Sequence, residues 1–338
     1  MSRRRQRGSI TISYFCLQTI LNMIFIERPE TNPFFNIAAE EFVLKHFEED
    51  VLMLWQSEPS VIVGKHQNTL NEVNLDFIRD NHIPVIRRIS GGGTVFHDLG
   101  NLNYTLISTG SNRERLIDFH KFTEPVKAFL NTLGIHSEFE GKNNLSIQGK
   151  KFSGNSAHVF KKRVMHHGTI LFNTKLDQLE KSSLPDKADI QDKAVQSIRA
   201  TVGNIAEHLS DEYTISQFRS AFKNFLLDYF SITEIRSFSP SDHSGIHKLI
   251  DEKYKQWEWN YGYSPAYIFQ NEVDGISVKL SVKNGIINGV EIDGELENKS
   301  LLKEKLVGTA HHPKMIVEVL KSVYPKRNSG LLLKLLAL

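Results

Sequence analysis

Five short runs rich in β-branched and aromatic residues crowd the sequence between residues 51 and 108. Only one short stretch among them, residues 71–81, has a helical pattern. Neighbouring parallel strands need a crossover connection of about a dozen residues or more, usually a helix. The close spacing therefore favours hairpins and a mixed or antiparallel sheet over a doubly wound parallel sheet. The predicted strands are residues 51–55, 60–64, 85–88, 93–97 and 102–108.

Helical patterns flank these strands and recur along the chain. Residues 36–47, which follow Pro33, and residues 119–133 repeat apolar side chains at helical spacing. Thr214 is predicted to cap an amphipathic helix, because apolar residues form one stripe after it at Ile215, Phe218, Phe222, Phe225 and Tyr229. Further strands are predicted at residues 135–140, 144–148, 151–160 and 165–173, with an Asn-Gly hairpin turn at 284–285.

The length of 338 residues and the hydrophobic content of 40% suit two globular domains. A Ser-, Pro- and Gly-containing stretch at residues 237–245 is the predicted linker between them. We therefore predict an α+β fold, in which residues 23–245 form a mixed, largely antiparallel sheet flanked by helices. Residues 246–338 are predicted to form a small α+β domain, whose core includes the alternating aromatic residues Trp257, Trp259 and Tyr261.

Residues 1–22 differ from the rest in composition, with four arginines and no acidic residue. This composition fits a mitochondrial transit peptide. It also fits a disordered extension ahead of a true start at Met23, so the segment is left out of the fold predictions. The expected location is the cytoplasm, or the mitochondrion if residues 1–22 are a transit peptide.

The remaining 316 residues carry a formal charge of −2, since the whole chain carries +2. This balance gives no electrostatic reason to expect nucleic acid or an anionic membrane as a partner. No run of 18 apolar residues occurs, so the sequence predicts no membrane span. The only cysteine is Cys16, which excludes a disulfide framework, a cysteine-based zinc site and a thiol nucleophile after residue 22.

Three consecutive glycines follow two arginines and precede a His-Asp pair. Such a run is costly unless the backbone adopts a positive φ or approaches a ligand closely. Backbone N–H groups beside arginines favour an anion, so the segment predicts a phosphate site. It lacks the Lys-Ser/Thr pair of a Walker A loop and the spacing of a dinucleotide fingerprint. The segment reads Arg87-Arg88-Ile89-Ser90-Gly91-Gly92-Gly93-Thr94-Val95-Phe96-His97-Asp98-Leu99-Gly100-Asn101.

Two further clusters contain candidate functional residues. Lys151 is followed by small and amide residues, which allow a ligand to approach, although a lone lysine is usually a surface residue. His166 and His167 are adjacent in a predicted strand, so they point to opposite faces and do not bind one metal together. One of them is expected to face a site and the other to pack. The two histidines at residues 311–312 have no such neighbouring residues, so we interpret them as surface residues.

Taken in order, these clusters closely resemble lipoate–protein ligases of the A type. The pattern at residues 87–101 is the most specific, and Lys-Phe-Ser-Gly at 151–154 and His-His-Gly-Thr at 166–169 match the next two blocks. The resemblance extends from about Phe25 to the end and includes residues 257–262. It implies a catalytic domain related to biotin ligases and class II synthetases, followed by a small accessory domain.

The resemblance implies a two-step reaction, in which lipoate and MgATP give lipoyl-AMP and pyrophosphate. The lipoyl group then passes to a lysine of a lipoyl domain, in a 2-oxoacid dehydrogenase E2 subunit or the glycine-cleavage H protein. Lys151 is the implied catalytic residue. The implied binding residues are Arg88, Ser90, Gly93, Thr94, Val95, Phe96, His97, Asn143, Lys151, His167 and Thr169. Asn144 stands where many relatives have an acid, so no Mg²⁺ ligand is assigned, and the sequence is compatible with a monomer.

Several other functions remain open on the sequence alone. The nearest is a lipoyltransferase that uses preformed lipoyl-AMP and has no adenylation step of its own; a cysteine acyl-enzyme is excluded because Cys16 precedes the domain. A biotin ligase would need a different glycine-rich segment. A non-catalytic nucleotide- or lipoyl-domain-binding protein would bind without turnover, and a nucleic-acid-binding module would depend on residues 1–22.

Overall fold

The computed structural model of the chain describes residues 23–110, 117–183, 189–209, 213–325 and 330–336. The predicted extension, residues 1–22, lies outside the described residues. The strands are β1 (Met23–Glu27), β2 (Asp50–Trp55), β3 (Ser60–Val63), β4 (Val85–Arg87), β5 (Val95–His97), β6 (Asn101–Thr109), β7 (Glu138–Glu140), β8 (Asn144–Ile147), β9 (Lys150–Phe160), β10 (Arg163–Leu171), β11 (Asp189–Asp192), β12 (Glu234–Arg236), β13 (Tyr267–Val273), β14 (Ile276–Lys283) and β15 (Ile286–Asp293). The α-helices are α1 (Pro33–His46), α2 (Leu75–Asp80), α3 (Phe119–Thr132), α4 (Leu176–Ser182), α5 (Ile215–Tyr229), α6 (Pro240–Leu249), α7 (Lys299–Leu306), α8 (Pro313–Val323) and α9 (Gly330–Leu336).

The main sheet has eight strands in the order β12-β1-β2-β6-β10-β9-β8-β7. β1 runs parallel to β12 and β2, and every other neighbouring pair is antiparallel. This arrangement confirms the prediction of a mixed, largely antiparallel sheet. The close spacing of the strands explains it, because β9 and β10 are joined by a two-residue turn and need no crossover.

Two smaller sheets complete the fold. β3 lies between β4, to which it is parallel, and β5, to which it is antiparallel. The second small sheet has the order β11-β13-β14-β15 and is antiparallel throughout, with the predicted Asn284-Gly285 turn between β14 and β15. β11 comes from the predicted first domain, so the C-terminal sheet contains a strand from each side of the predicted boundary.

Side-chain alternation along β2 gives the main sheet two hydrophobic faces. Leu52 and Leu54 join a core formed with α3 and α5. Val51, Met53 and Trp55 join a second core formed with α1 and α6. Helices therefore cover both faces, as the predicted α+β architecture requires.

The helix α5 has the predicted cap and the predicted apolar stripe. Thr214 Oγ1 accepts a hydrogen bond from the Gln217 amide, and the Gln217 side chain bonds back to the Thr214 amide, which is a capping box. Phe218 and Phe222 are fully buried in the core. Tyr229, in the last turn, is 47% exposed, so the stripe is buried only along the first three turns.

The segment predicted as a linker, residues 237–245, is mostly helical. Ser239 caps α6, and a Cβ added to Gly245 would lie 2.4 Å from Phe42 Cε2, so this glycine allows α6 to approach α1. The linker prediction is wrong here because the Ser-Pro pair begins a helix. Hydrophobic contacts of the same core continue to Trp259. A domain division between residues 245 and 246 remains a prediction.

Two interpretations of aromatic residues in the C-terminal part need correction. Trp259 lies in a π-helical turn (Glu258–Gly262), and its indole N–H donates to the Arg87 carbonyl, 2.7 Å away, so it belongs with the second core, the one formed with α1 and α6. His311 is buried, with Nδ1 2.7 Å from the Tyr267 hydroxyl and Nε2 3.0 Å from the Leu336 carbonyl. The surface interpretation of His311 is therefore wrong. No helix in the described ranges has the length and apolarity needed to cross a membrane.

Candidate active site

A cavity of about 530 Å³ lies between the glycine-rich segment after β4, the strands β9 and β10, and the segment at residues 195–201. Nine of the eleven predicted site residues line it: Arg88, Gly93, Thr94, Val95, His97, Asn143, Lys151, His167 and Thr169. The structure thus brings together residues that are up to 81 positions apart in the sequence. A larger cavity of about 1180 Å³, next to α2 and the C-terminal sheet, contains none of the predicted site residues.

Phe96 and Ser90 are the two predicted residues that do not line the cavity. Alternation along β5 turns Val95 and His97 toward the cavity and Phe96 away from it, into a separate hydrophobic core. The Phe96 side chain therefore does not reach the cavity, and a part of this residue in holding a nucleotide stays a prediction. Ser90 is fully buried behind the cavity, where it contacts His167.

Arg88 holds the glycine-rich segment in place. Its Nη2 donates to the carbonyls of Gly91 and Gly93 at 2.6 and 2.7 Å, and its Nη1 donates to the Ile62 carbonyl at 3.0 Å. Gly92 has a φ of +85°, which a residue with a side chain rarely adopts. Burial lowers the pKa of Arg88 to about 10, so the guanidinium remains charged at neutral pH.

Arg87, the neighbouring arginine, does not face the cavity. It is fully buried and points into the protein, where its guanidinium donates to oxygen atoms at residues 64–69 and 259–264. Adjacent residues of an extended segment point to opposite sides, which explains why only one of the two arginines reaches the cavity. The sequence-based view of two arginines beside one anion site is therefore wrong for Arg87.

Lys151 is a half-buried cation in the cavity wall. Its Nζ lies 3.0 Å from the position that a Cβ on Gly154 would occupy, so Gly154 provides the space for the ammonium. Burial lowers the pKa of Lys151, the charge of Glu140 opposes this, and the charge of Arg88 lowers the pKa further. Within the described ranges the Lys151 ammonium has no ion-pair partner, so it is available to an anionic ligand.

A buried chain of polar groups connects Arg88 to α1. Arg88 Nε donates to Ser90 Oγ at 3.0 Å, and Ser90 Oγ lies 2.6 Å from His167 Nε2. His167 Nδ1 lies 2.9 Å from Glu40 Oε2, and the other carboxylate oxygen of Glu40, Oε1, accepts a hydrogen bond from Thr105 Oγ1 at 2.5 Å. A carboxylate oxygen only accepts, so Nδ1 of His167 carries a proton.

Glu40 is a site residue that the sequence analysis missed. It is 1% exposed, although it lies in the helix α1 among Ile37, Ala38 and Ala39, which are also buried. The available signal was an acidic residue in an apolar helical stripe, because such a residue is buried only when it has a partner. Its partner His167 is 127 positions away, which no local pattern shows.

Three polar atoms in the buried part of the site have no partner in the described part of the chain. They are His97 Nδ1, Asn103 Nδ2 and Asn101 Oδ1. Burial lowers the pKa of His97 to about 3, and the charges of Arg88 and His167 act in the same direction, so His97 is neutral at pH 7. Because buried polar atoms are rarely left unsatisfied, His97 and Asn103, which both line the cavity, are available to a ligand or to water.

The segment at residues 195–201 forms one wall of the cavity and was also missed. The Ser197 hydroxyl accepts hydrogen bonds from the Thr94 amide at 2.8 Å and from Gln67 Nε2 at 3.0 Å, and it donates to the Glu72 carboxylate. The Thr94 amide, one of the expected anion donors, is therefore bonded to protein in this structure. Ile198, next along the segment, is 92% exposed.

The two adjacent histidines point to opposite faces, as predicted. His167 lines the cavity, whereas His166 stacks on Phe122 with ring centroids 5.0 Å apart. Within the described residues no group of three histidine, cysteine or acidic side chains is arranged to hold a metal ion. Side-chain oxygens that line the cavity include the Glu140 carboxylate and the amides of Asn143 and Asn144.

Comparisons with known proteins identify relatives of this chain. A profile of the lipoyl protein ligase A/B catalytic domain matches residues 32–227. The lipoate-protein ligase LplJ of Bacillus subtilis (strain 168) is 36% identical over 320 residues, which cover 91% of this chain and 96% of that protein. Lipoate–protein ligase 1 of Staphylococcus aureus is 38% identical over 301 residues, which cover 86% of this chain and 90% of that protein.

Solved structures give the same result for the fold. A structure described as a bi-partite lipoate protein ligase and its E2 lipoyl domain, from Thermoplasma acidophilum, is similar with a TM-score of 0.61 and 26% identity. The match covers 72% of this chain and 96% of that chain. The sequence relatives and this solved structure therefore point to the same family.

Proposed function

This chain belongs to the lipoate–protein ligase family, and on that premise we propose that it activates lipoate with MgATP and transfers the lipoyl group to a lysine of a lipoyl domain. The acceptors are E2 subunits of 2-oxoacid dehydrogenases or the glycine-cleavage H protein. The observation that carries the proposal is the cavity in which the glycine-rich segment, held by Arg88, faces Lys151. Such a cavity suits a reaction between two anions.

In the first step, a carboxylate oxygen of lipoate attacks the α-phosphorus of ATP. The bond between the α-phosphorus and the bridging oxygen breaks, and pyrophosphate leaves with that oxygen. Negative charge builds on the α-phosphoryl oxygens, and the Lys151 ammonium and the backbone N–H groups of Gly91–Gly93 offset it. Because Arg88 is bonded to the carbonyls of this segment, its part is to hold those N–H groups in position.

In the second step, the neutral ε-amine of the acceptor lysine attacks the lipoyl carbonyl carbon. The bond from that carbon to the AMP oxygen breaks, AMP leaves, and the amine loses a proton as the amide forms. The carbonyl oxygen becomes negative on the way, and Lys151 is placed to stabilise it. One cation thus acts in both steps.

Mg²⁺ is proposed as the counter-ion of the ATP phosphates. Mg²⁺ prefers oxygen ligands and is commonly held by one or two carboxylates together with substrate phosphates. Glu140, Asn143 and Asn144 supply such oxygens at the cavity wall, so the residues present fit this ion. When bound, it would neutralise charge on the phosphates.

The test is lipoate-dependent exchange of labelled pyrophosphate into ATP, with no acceptor protein present. We expect exchange, because formation of the adenylate is reversible and needs only lipoate and MgATP. Folded protein that shows no pyrophosphate exchange but transfers the lipoyl group from preformed lipoyl-AMP would be a lipoyltransferase. The ligase proposal would then fail. Binding of lipoate or ATP with neither reaction would contradict both.

A further inference from the structure

Lysine side chains surround one buried carboxylate on the outer side of α1. Glu41 is 2% exposed, and it accepts hydrogen bonds from Lys45 Nζ at 2.5 Å, from Lys253 Nζ at 2.7 Å and from the Tyr254 hydroxyl. Burial acts to raise the pKa of Glu41, but the two ammonium groups and the Tyr254 hydroxyl outweigh it and hold the pKa below its ordinary value. Glu41 is therefore ionised and fully committed to its partners.

Two partly buried aromatic rings lie beneath these two ammonium groups and that of Lys161. Lys45 Nζ and Lys161 Nζ lie 5.6 and 5.2 Å from the centre of the Phe160 ring. Lys253 Nζ lies 3.9 Å from the centre of the Trp259 ring. These distances are within the range of cation–π contacts, so the rings fix the lysine side chains over a defined surface.

The electrostatic potential at this surface is positive. Burial lowers the pKa of His158 to about 4, and the charges of Lys65, Lys253 and Lys45 contribute more than that of Glu41 opposes. His158 is therefore neutral at pH 7. We call the surface formed by Lys45, Lys65, His158, Lys161 and Lys253 the basic patch. Two of its four lysines, Lys45 and Lys253, share the Glu41 carboxylate.

The basic patch borders the glycine-rich segment of the active site. Ser156 lines the cavity and donates to the Gly91 carbonyl at 2.8 Å. His158 is two residues further along β9, on the same face and about 7 Å away. The Lys65 amide donates to the Ser90 carbonyl at 2.8 Å. The patch therefore adjoins the rim of the cavity beside the glycine-rich segment.

We propose that the basic patch docks the acceptor protein by binding acidic side chains that flank its target lysine. The proposal rests on the proposed function. A target ammonium that approaches Arg88 and Lys151 meets like charges, which disfavours its approach. Acidic neighbours on the acceptor that pair with the patch offset this repulsion, fix the orientation and raise the association rate. Adenylation involves no acceptor, so it is independent of the patch.

The test is a double charge reversal, Lys65→Glu with Lys161→Glu, which leaves the Lys45–Glu41–Lys253 contacts intact. We expect pyrophosphate exchange within about twofold of the unchanged protein, whereas the KM for an E2 lipoyl domain rises by about tenfold or more at low salt. The kcat for transfer should change little. Raising the ionic strength should weaken acceptor binding by the original protein and much less by the variant.

The matched control is Lys305→Glu with Lys321→Glu, which changes the net charge equally on exposed lysines of α7 and α8. This control should keep the original acceptor KM. An equal rise of KM in both double variants would overturn the proposal, since net charge would then be the cause. Loss of exchange in the Lys65/Lys161 variant alone would also overturn it, because the patch would then serve adenylation.

A charge swap on the acceptor distinguishes direct pairing from an indirect effect. Acceptor domains whose acidic residues beside the target lysine are changed to lysine should be poor substrates of the original protein and better substrates of the Lys65/Lys161 variant. Equal loss with both enzymes contradicts direct pairing. If the original protein itself shows no exchange and no transfer, the proposed function fails rather than the docking site. Patch-dependent binding of duplex DNA with an unchanged acceptor KM would assign the surface to nucleic acid instead.

Discussion

Lys151 and Arg88 are both cations in the cavity wall, but only one of them has a free charged group. Arg88 donates to Ser90 and to the carbonyls of Ile62, Gly91 and Gly93, so its donors are largely used by the protein. The Lys151 ammonium has space above Gly154 and no ion-pair partner among the described residues. The two residues thus have different parts, with Arg88 holding the site and Lys151 contacting the reactants.

Lys151→Ala should abolish most of the adenylation activity while the fold is retained. Loss of one fixed group that stabilises developing charge costs about 10²–10³ in rate. Pyrophosphate exchange measures the loss, and circular dichroism with thermal unfolding checks the fold. Lys150→Ala is the matched control, because Lys150 is exposed and pairs with Glu207 3.3 Å away. A rate near normal for Lys151→Ala would remove this lysine from the mechanism.

Glu40→Gln should weaken the polar chain behind the glycine-rich segment. The amide can no longer supply a charged acceptor for His167 Nδ1, and hydrogen bonds to charged groups contribute about 1.5–3 kcal/mol. We expect a loss of unfolding free energy of that size in denaturant titrations, together with slower exchange. Glu304→Gln, at an exposed position of α7, should change neither quantity. Unchanged stability and exchange in Glu40→Gln would show that the hydrogen-bonded groups between Arg88 and Glu40 have no positioning role.

At the scale of elements, most strands and helices could be predicted from the periodicity of the apolar residues and from the turn residues. β2, β6, β9, β10 and α5 appear where alternation or helical spacing placed them, because each pattern is local. The glycine-rich segment was also evident, because consecutive glycines are rare without a backbone reason. The sequence could not show which distant elements meet.

The missed features of the site all depend on contacts between distant segments. Glu40 pairs with His167, and Ser197 bonds to Thr94 and Glu72, across separations of 127, 103 and 125 residues. No local pattern shows which distant residue each of them contacts. The wall at residues 195–201 has no periodic pattern, so it was not predicted as part of the site.

Gly64→Ala should displace the glycine-rich segment. A Cβ on Gly64 would lie 2.0 Å from the Gly92 carbonyl oxygen, which is backbone and must move. We expect a lower melting temperature and a large loss of pyrophosphate exchange. Gly289→Ala is the control, because its Cβ would lie 3.5 Å from Ser281 Cβ, an ordinary contact. Normal exchange by Gly64→Ala would mean that the segment tolerates a shift of this size.

At the scale of the whole molecule, three of the hydrophobic cores border a buried histidine with a low pKa. Burial lowers the pKa to about 3 for His97 beside Trp55, and to about 4 for both His166 and His311. Their unfolded pKa is 6.5, so the unfolded chain binds more protons between pH 6.5 and 4. Stability is therefore complete above pH 6.5 and is lost as the pH falls toward 4.

We expect the denaturation midpoint to fall steeply between pH 6.5 and pH 4.5. Each buried neutral histidine contributes a slope of up to about 1.4 kcal/mol per pH unit in this range. His311→Gln should be less stable at pH 7.5, since it loses a hydrogen bond to Tyr267 or Leu336, but its pH dependence should be shallower. A slope identical to that of the unchanged chain would show that His311 does not contribute.

The surroundings of Arg87 have a practical consequence for anyone who shortens the gene. Its guanidinium has seven oxygen acceptors, of which three belong to Trp259, Asn260 and Ser264. A stop codon after residue 245 would leave a buried cation with those hydrogen bonds missing, whereas one after Ser264 would keep them all.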